Sequence, residues 1–445
     1  MKKAAGISVA TMLVAMLGNA AQAQSANQTS KGAVDGFDVT AYDVKLTPDL
    51  ASKTVNGTET IRLCIGDRDI EALLFSPNAL TVSGAKINGR SAAVTSDDKG
   101  ISFKPARPLK RGSRITLTFA FAGTPKRGVN AVPGGLYSSY FACDWMICRQ
   151  DTPGDKAHLT LALTIPNDMT SLAPGIFTRS KRASDNSTQH IWKTERPYSP
   201  YIYGFAVGPF TQSEVKAHGK TLRYINATGT AQDLPHKFAA TPDMIAFLSD
   251  KAGLPLPVST YAQLLVPEWE AQEAASYSLI GVKALDADLA TPDKEWILVH
   301  ELAHQWWGNL ITSANWREFW LKEGLATYMT AAWKEHRYGK AAYDAELDGA
   351  RKRLAAARDK GFDKPLAWDG KYPSLGLRRA VQYSKGALFL DHLRGVMGDA
   401  AFWAGIKTYT KAHAGGTVTS ADFQRAMQSA TQRDLTPEFK MWVYG

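Results

Sequence analysis

The pattern of hydrophobic and polar positions changes near the middle of the chain. From about Val34 to Phe210, apolar and polar residues alternate in short runs, such as those at residues 38–44, 115–121 and 159–166, and Gly, Pro, Asn and Asp separate these runs. Alternation with a period of two, interrupted by turn residues, is typical of short strands with one buried face. We therefore predict an antiparallel β saddle or sandwich domain over residues 34–210.

Beyond about Thr211 the pattern becomes mostly helical, after a short mixed α/β stretch. Thr241-Pro242 and Thr291-Pro292 each place a capping residue before a proline, which predicts two helix starts. The apolar run at residues 260–266 predicts a strand that Pro267 ends. Further helices are expected at about residues 317–338, 341–360, 379–397, 400–414 and 420–432. These elements predict a mostly helical domain over residues 211–445.

Two histidines lie four residues apart in the helix that we expect to begin near Thr291 and to end at Gly308. His300 and His304 share one face of a helix, so both imidazoles can reach one metal ion. Glu301 can reach a water on that metal without being a ligand, and the pattern is H-E-x-x-H. An ordinary surface helix is the alternative. The apolar positions at 297–299 and 302 favour burial instead, and buried His and Glu side chains need partners.

The next predicted helix supplies a third ligand. Glu323 follows His304 after eighteen intervening residues, which is enough for one helix to end and an antiparallel helix to return a carboxylate. Most helix glutamates are solvated, but this one lies between the apolar Leu321 and Leu325, which favours burial. Two His and one Glu leave the fourth position of a single Zn²⁺ open, as in catalytic sites.

These groups predict hydrolysis by a zinc-activated water. Zinc lowers the pKa of its bound water to about 7. Glu301 can act as the general base and pass the proton to a leaving amine. Tyr383 is the candidate to stabilise the oxyanion, although most helical tyrosines are simply core residues.

The beginning of the chain predicts export. Basic Lys2 and Lys3, an apolar run through Leu17 and the small residues of Ala21-Gln22-Ala23 are typical of a secretory signal peptide, here residues 1–23. A membrane anchor is the alternative, but the apolar run is short and contains polar residues. We expect a flexible mature N-terminus at residues 24–33, a periplasmic or extracellular location and no stable membrane insertion after cleavage.

Charge and cysteine content narrow the choice of partners. The formal net charge of +10 is spread along the chain without a dense basic block, which favours a generally cationic surface over nucleic-acid binding. Of the three cysteines, Cys143 and Cys148 are close enough to pair, which would leave Cys64 as a buried thiol. The sequence has no Cys-x-x-Cys metal pair.

Three segments together resemble the aminopeptidase N family of gluzincin metallopeptidases, which includes leukotriene hydrolase. They are His300–Asn309 with the Trp320-Leu321-Lys322-Glu323-Gly324 segment, Tyr383–Gly386, and Gln150–Ala157. The resemblance implies a saddle-like β-domain followed by a thermolysin-like catalytic domain. It implies that His300, His304 and Glu323 bind one zinc ion, that Glu301 is the general base, and that Tyr383 stabilises the transition state. It also implies a secreted metallopeptidase of aminopeptidase type, with peptides or proteins as substrates.

The segment expected to bind the substrate departs from this family. Aminopeptidases carry Gly-x-Met-Glu-Asn, whose Glu binds the free α-amine of the substrate. The corresponding residues here are Gln272–Ser276, which places Ala275 at the Glu position. Burying an ammonium without a carboxylate is costly, so an endopeptidase or a peptidase of unusual specificity is the alternative. Gln272, Glu273, Ala275 and Ser276 are the candidate substrate-binding residues, and Glu268, Glu270 or Glu273 could replace the missing carboxylate.

Two further features of the sequence differ from the family pattern. The chain ends soon after the predicted catalytic domain, so we expect the family's large C-terminal helical domain to be missing and the cleft to be more open. Lys322 stands where the family usually has Asn.

Two alternative functions remain besides a peptidase. One is a binding protein that kept the fold and lost activity, but the complete set of predicted metal ligands, general base and tyrosine opposes it. The other is a zinc hydrolase of a non-peptide substrate, such as an epoxide.

Overall fold

The computed structural model describes residues 36–291 and 293–445, so the predicted signal peptide and the segment 24–33 lie outside the described residues. Two hydrophobic cores organise this part of the chain. One is built mainly from strands between Phe37 and Leu279, and the other mainly from helices between Leu222 and Val443. The predicted order of a β region followed by a helical region is confirmed.

The N-terminal strands form an eight-stranded sheet and two smaller ones, with the order β13-β14-β11-β1-β2-β8-β4-β5 in the largest. Their bounds are β1 (Phe37–Pro48), β2 (Val55–Ile65), β3 (Leu73–Phe75), β4 (Thr81–Ile87), β5 (Arg90–Ser91), β6 (Ala93–Asp97), β7 (Gly100–Lys104), β8 (Arg114–Gly123), β9 (Val129–Val132), β10 (Gly135–Ser138), β11 (His158–Pro166), β12 (Thr170–Leu172), β13 (Ile176–Arg182), β14 (Ser187–Lys193) and β15 (Ala206–Gly208). The large sheet is antiparallel except that β1 and β11 run parallel. Parallel strands need a long crossover, and the chain between β8 and β11 supplies one.

A five-stranded sheet joins the two cores. It consists of β16 (Thr211–Ala217), β17 (Lys220–Asn226), β18 (Thr260–Val266), β19 (Ala271–Ala274) and β20 (Tyr277–Gly281). Successive side chains of a strand point to opposite faces. Leu264 therefore packs in the first core and Leu265 in the second, and Leu279 and Ile280 do the same. Burial on both faces explains why this strand carries the consecutive apolar residues Leu264, Leu265 and Val266.

The remaining chain is mostly helical. The helices are α1 (Ala142–Trp145), α2 (Leu234–Lys237), α3 (Thr241–Ala252), α4 (Val282–Leu289), α5 (Trp296–Ala303), α6 (Trp320–Tyr338), α7 (Lys340–Arg358), α8 (Leu375–Arg378), α9 (Gly386–Met397), α10 (Asp399–Ala412), α11 (Ser420–Gln428) and α12 (Thr436–Phe439). The segments Arg379–Lys385 and Lys440–Tyr444 are π-helical, and a short parallel pair joins β21 (Thr312–Ser313) to β22 (Thr417–Val418). The helix predicted over 379–397 thus divides into a π-helical segment and α9, and the one predicted over 420–432 ends at Gln428.

Both predicted threonine caps are wrong. In α3 the N-cap is Ala240, and the Thr241 hydroxyl donates instead to the buried Gln263 side chain at 2.8 Å. The helix that carries His300 begins at Trp296, not near Thr291, and ends at Ala303, so His304 is its C-cap. The Thr291 hydroxyl donates to the Asp288 carbonyl at 2.7 Å. The Thr241 hydroxyl thus bonds to a distant strand and the Thr291 hydroxyl to a carbonyl three residues earlier, so neither caps a helix.

The cysteines pair as expected. Cys143 and Cys148 form a disulfide between α1 and the segment that follows it. Cys64 is a free thiol, as predicted, but it is half-buried, whereas the prediction was a buried thiol. No helix among the described residues is both long enough and apolar enough to cross a bilayer.

Two contacts fix the helices that carry the candidate ligands. The half-buried Lys156 side chain donates to the carbonyls of Asn309 and Leu310 at 3.3 and 2.8 Å, which ties the β-domain to the loop after α5. A Cβ built on Gly386 would lie 2.8 Å from the Cα of Gly324, so α9 and α6 touch backbone to backbone. This contact holds Glu323, the residue before Gly324, close to the π-helical segment.

We predict that Gly386→Ala destabilises the protein by about 1–3 kcal/mol, because the added methyl forces two packed helices apart. Gly395→Ala is the matched control. It lies in the same helix, is exposed, and has no heavy atom within 4 Å of a built Cβ. It should be neutral or stabilising by up to ~1 kcal/mol. Urea unfolding of both variants tests this, and equal effects would show that the helices can separate at no cost.

Candidate metal centre

The ends of α5 and α6 bring three buried side chains together. The Nε2 atoms of His300 and His304 lie 3.4 and 3.5 Å from Oε2 of Glu323. All three residues are buried, and their potential ligand atoms lie within 4.8 Å of one another. The structure therefore brings together the three residues that the sequence predicts as ligands.

The two imidazoles are oriented by their surroundings. His304 Nδ1 lies 3.0 Å from the carbonyl oxygen of Trp307, and a hydrogen bond there leaves Nε2 free to face Glu323. The His300 ring lies between two other rings. Trp296 stacks on it with a centroid distance of 5.0 Å, and Tyr383 lies parallel at 6.1 Å.

The charge balance of this cluster fits a bound cation. Burial lowers the pKa of His300, which favours the neutral imidazole that binds metals. Glu273, Glu301 and Glu323 are all buried here, and Lys322 is the buried ammonium among them. The Oε2 atoms of Glu301 and Glu323 have no hydrogen-bond partner among the described residues, which is costly for buried oxygens. Two nitrogens and one carboxylate oxygen are a donor set typical of catalytic zinc.

Glu301 and Tyr383 have environments that suit the predicted roles. Burial raises the pKa of the Glu301 carboxyl to about 8, which makes it able to accept and release a proton near neutral pH. Burial also raises the pKa of Tyr383, so its hydroxyl remains a hydrogen-bond donor. Both residues line the same cavity as the three candidate ligands.

The predicted substrate-binding residues separate into two groups. Gln272 and Glu273 line the cavity, and the Gln272 side chain accepts a hydrogen bond from the Tyr140 backbone at 2.8 Å. Ala275 and Ser276 do not line it, because they form the turn between β19 and β20 and pack against the β-domain. The Ala275 N–H donates to the carbonyl of Ile202 at 3.0 Å, and Ser276 adopts a φ of +68°.

The three glutamates that could replace the missing carboxylate also differ. Glu268 is exposed and paired with Lys283 at 2.7 Å, and Glu270 accepts from the Tyr137 hydroxyl. Glu273 alone of the three lies near the candidate metal, since its carboxylate is within 4.8 Å of ligand atoms of Glu301 and His304. It accepts a hydrogen bond from Lys322, whose ammonium also lies 3.4 Å from Glu323.

The strand that carries Glu273 is held by α5 and the residues after it. The side-chain amides of Gln305 and Asn309 both donate to the carbonyl oxygen of Ala274, at 3.1 and 3.0 Å. Gln305 and Asn309 belong to the same segment as His304. The edge strand β19 and the candidate metal ligands therefore keep a fixed separation.

The cavity above these groups has a volume of about 1390 Å³, which is large enough for a peptide of several residues. Sequence reasoning missed several residues that line it, namely Tyr140, Trp269, Trp296, Phe319, Arg378 and Arg379. Helical spacing gave a usable signal for two of them, because Trp296 precedes His300 by four residues and Arg379 precedes Tyr383 by four. Tyr140 and Trp269 come from loops, which the hydrophobic pattern does not place.

Known proteins resemble the chain in both sequence and structure. Residues 236–442 match the Peptidase family M1 domain. Aminopeptidase 2 of Candida albicans is 23% identical over 90% of this chain, and leukotriene A-4 hydrolase of Xenopus laevis is 22% identical over 91%. The chain spans 46% of the first relative and 70% of the second.

Solved structures cover nearly the whole chain. The M1 zinc metallopeptidase of Deinococcus radiodurans is 26% identical, with a TM-score of 0.77 over 92% of this chain and 94% of that one. A variant of an M1 zinc metallopeptidase from the same organism, bound to a Tyr-Ser-Ala substrate, is 25% identical with a TM-score of 0.78 over 92% and 95%. Together with the convergence of His300, His304 and Glu323, these similarities show that residues 236–442 form a Peptidase family M1 domain and that the chain as a whole has the fold of two-domain M1 zinc metallopeptidases.

Proposed function

We propose that this protein is an exported aminopeptidase that hydrolyses the first peptide bond of short peptides and uses one zinc ion. The observation that carries the proposal is the convergence of His300, His304 and Glu323 in a cavity that Glu301 and Tyr383 also line. The similarity to an M1 metallopeptidase solved with a Tyr-Ser-Ala substrate supports a peptide as the ligand. Residues 1–23, which have the pattern of a secretory signal peptide, support export.

The chain's own residues would divide the chemistry as follows. Zinc at this donor set would supply a Lewis acid that polarises the substrate carbonyl and makes hydroxide available near neutral pH. Glu301 would take the proton of the attacking water and deliver it to the leaving amine. Tyr383 would donate a hydrogen bond to the oxygen that gains charge in the transition state. Trp296, stacked on His300, would help to hold that imidazole in its orientation.

Glu273 is our candidate for holding the substrate's α-ammonium. Its carboxylate lies within 4.8 Å of ligand atoms of Glu301 and His304, whereas Ala275 has no carboxylate and does not reach the cavity. Lys322 already donates to one oxygen of this carboxylate. The other oxygen is available to a second ammonium, because one carboxylate can accept several hydrogen bonds.

The first prediction concerns the chemical step. Glu301→Gln should lower kcat by roughly 10²–10⁴-fold, because the variant has no base. Tyr383→Phe should lower kcat by about 10²–10³-fold, since one oxyanion donor is lost. Zinc content measured by metal analysis should stay at one ion per chain in both variants. Two ions per chain, or full activity of Glu301→Gln, would contradict the proposal.

The second prediction concerns removal of the metal. Dialysis against a chelator should abolish peptide hydrolysis and lower the thermal midpoint, because His300, His304 and Glu323 then lose the cation that balances their buried charge. Added zinc should restore both. A chelator-treated protein that keeps its midpoint and its activity would show that these residues hold no structural or catalytic metal.

The third prediction tests the amine anchor. Wild-type enzyme should cleave a peptide with a free N-terminus at least ~100-fold faster than its N-acetylated form, because a charge-assisted hydrogen bond is lost. Glu273→Gln should raise KM for the free peptide by about 10-fold or more, and Glu273→Asp should recover part of that loss. Glu268→Gln, a change at an exposed glutamate, is the control and should behave as wild type.

Equal cleavage of the free and acetylated peptides would reject the anchor and support the endopeptidase alternative. Mass spectrometry of the products distinguishes these cases, because an aminopeptidase releases single residues from the N-terminus whereas an endopeptidase releases internal fragments.

A further inference from the structure

Two consecutive arginines line the cavity beside Tyr383 and have no role in the proposed chemistry. Arg378 ends α8, and Arg379 begins the π-helical segment that carries Tyr383. A π-helix has more than four residues per turn, so Arg379, Arg378 and Tyr383 fall on neighbouring positions of one face. Both guanidinium groups therefore lie on the wall that also presents the Tyr383 hydroxyl.

Arg378 is fixed in place. Its Nε donates to the Gln382 side chain at 2.8 Å, and its guanidinium lies 4.0 Å from the centre of the Phe319 ring. Such stacking and hydrogen bonding pre-organise an arginine and leave its remaining N–H groups free to bind a ligand. Arg378 is half-buried, which strengthens its interaction with an anion.

Among residues 36–291 and 293–445, no carboxylate forms an ion pair with Arg379. Its side chain is exposed to the cavity. Asp151 and Asp369 also line the cavity, but neither forms an ion pair with Arg378 or Arg379 in the described part of the chain.

Two other arginines line the cavity, and each donates one hydrogen bond to a neighbour, as Arg378 does. Arg317 donates to the carbonyl of Ala367 at 2.7 Å, and Arg353 donates to the Ser384 hydroxyl at 2.9 Å. Arg378 and Arg379 differ from these two because they are consecutive in sequence, so both guanidinium groups lie on the wall beside Tyr383. A planar guanidinium matches a carboxylate with two parallel hydrogen bonds, so a carboxylate is the ligand that this pair fits.

We propose that Arg378 and Arg379 bind a carboxylate of the peptide substrate, which makes the enzyme selective for substrates that carry this group within reach of the scissile bond. The carboxylate comes either from the C-terminus of a di- or tripeptide or from an Asp or Glu side chain. This inference rests on the proposed peptidase function. It makes these two arginines specificity-determining residues, and neither takes part in proton transfer.

The experiment compares one tripeptide as the free acid and as the C-terminal amide. Wild-type enzyme should show kcat/KM about 10-fold higher for the acid, with the difference in KM. Arg379→Gln and Arg378→Gln should each reduce this acid-to-amide ratio toward one, and Arg379→Lys should keep part of it. Arg433→Gln, a change at an exposed arginine outside the cavity, is the control and should leave the ratio unchanged.

A second pair of substrates identifies the source of the carboxylate. Two tripeptide amides differ only by Glu or Gln at the second or third position. A preference for Glu that the Arg379→Gln variant loses assigns the site to an acidic side chain, and a preference only for the free acid assigns it to the C-terminus.

The result that overturns the inference is an equal kcat/KM for every acidic and neutral pair in wild-type enzyme. Cleavage of all pairs at equal rates rejects the arginine site and leaves the peptidase proposal intact. If no peptide is cleaved, the peptidase proposal fails, and calorimetric binding of acid and amide to zinc-loaded Glu301→Gln still tests the arginines. Equal dissociation constants there would reject the site without any turnover.

Discussion

The buried carboxylate of Glu323 is the constraint on which the rest of the catalytic half depends. Its side chain is buried against two imidazoles and beside the Lys322 ammonium. A carboxylate buried in this way must be compensated by opposite charge or hydrogen bonds. The elements around it serve this requirement. The Gly324–Gly386 contact lets α6 and α9 approach closely, and Lys156 fixes the loop after α5, so the helices that carry Glu323 and the two imidazoles stay in place.

The same electrostatics connect the metal centre to the substrate site. Glu273, Glu301 and Glu323 bring three carboxylates close together with one lysine, so cations are favoured there, both as a metal and as the ammonium of a substrate. Arg378 and Arg379 supply the complementary positive wall. The cavity thus separates a region that attracts ammonium groups from one that attracts carboxylates, and these are the two charges of a short peptide.

The β-domain contributes directly to this site as well as supporting it. Tyr140 lies after β10 and faces the cavity, where its backbone N–H donates to Gln272. One face of the five-stranded sheet packs on the first core and the other face packs on the second, so strand β19 is supported from both sides. The amides of Gln305 and Asn309 then tie that strand to the segment that begins with the metal ligands.

The sequence by itself determined the elements whose cause is local. Alternating patterns located β1, β8 and β11. The spacing of His300 and His304 predicted two candidate ligands because helical geometry places i and i+4 on one face, and Glu323 was predicted as the third, which the structure brings next to them. It did not locate the start of α5, because the Thr291 hydroxyl bonds to Asp288 and not to the helix end. Only the tertiary structure decided which of Glu268, Glu270 and Glu273 lies beside the candidate metal ligands. That choice depends on the β19–β20 turn packing against Ile202 and on the Lys322 ammonium across the cavity, contacts between residues far apart in sequence that no local pattern encodes.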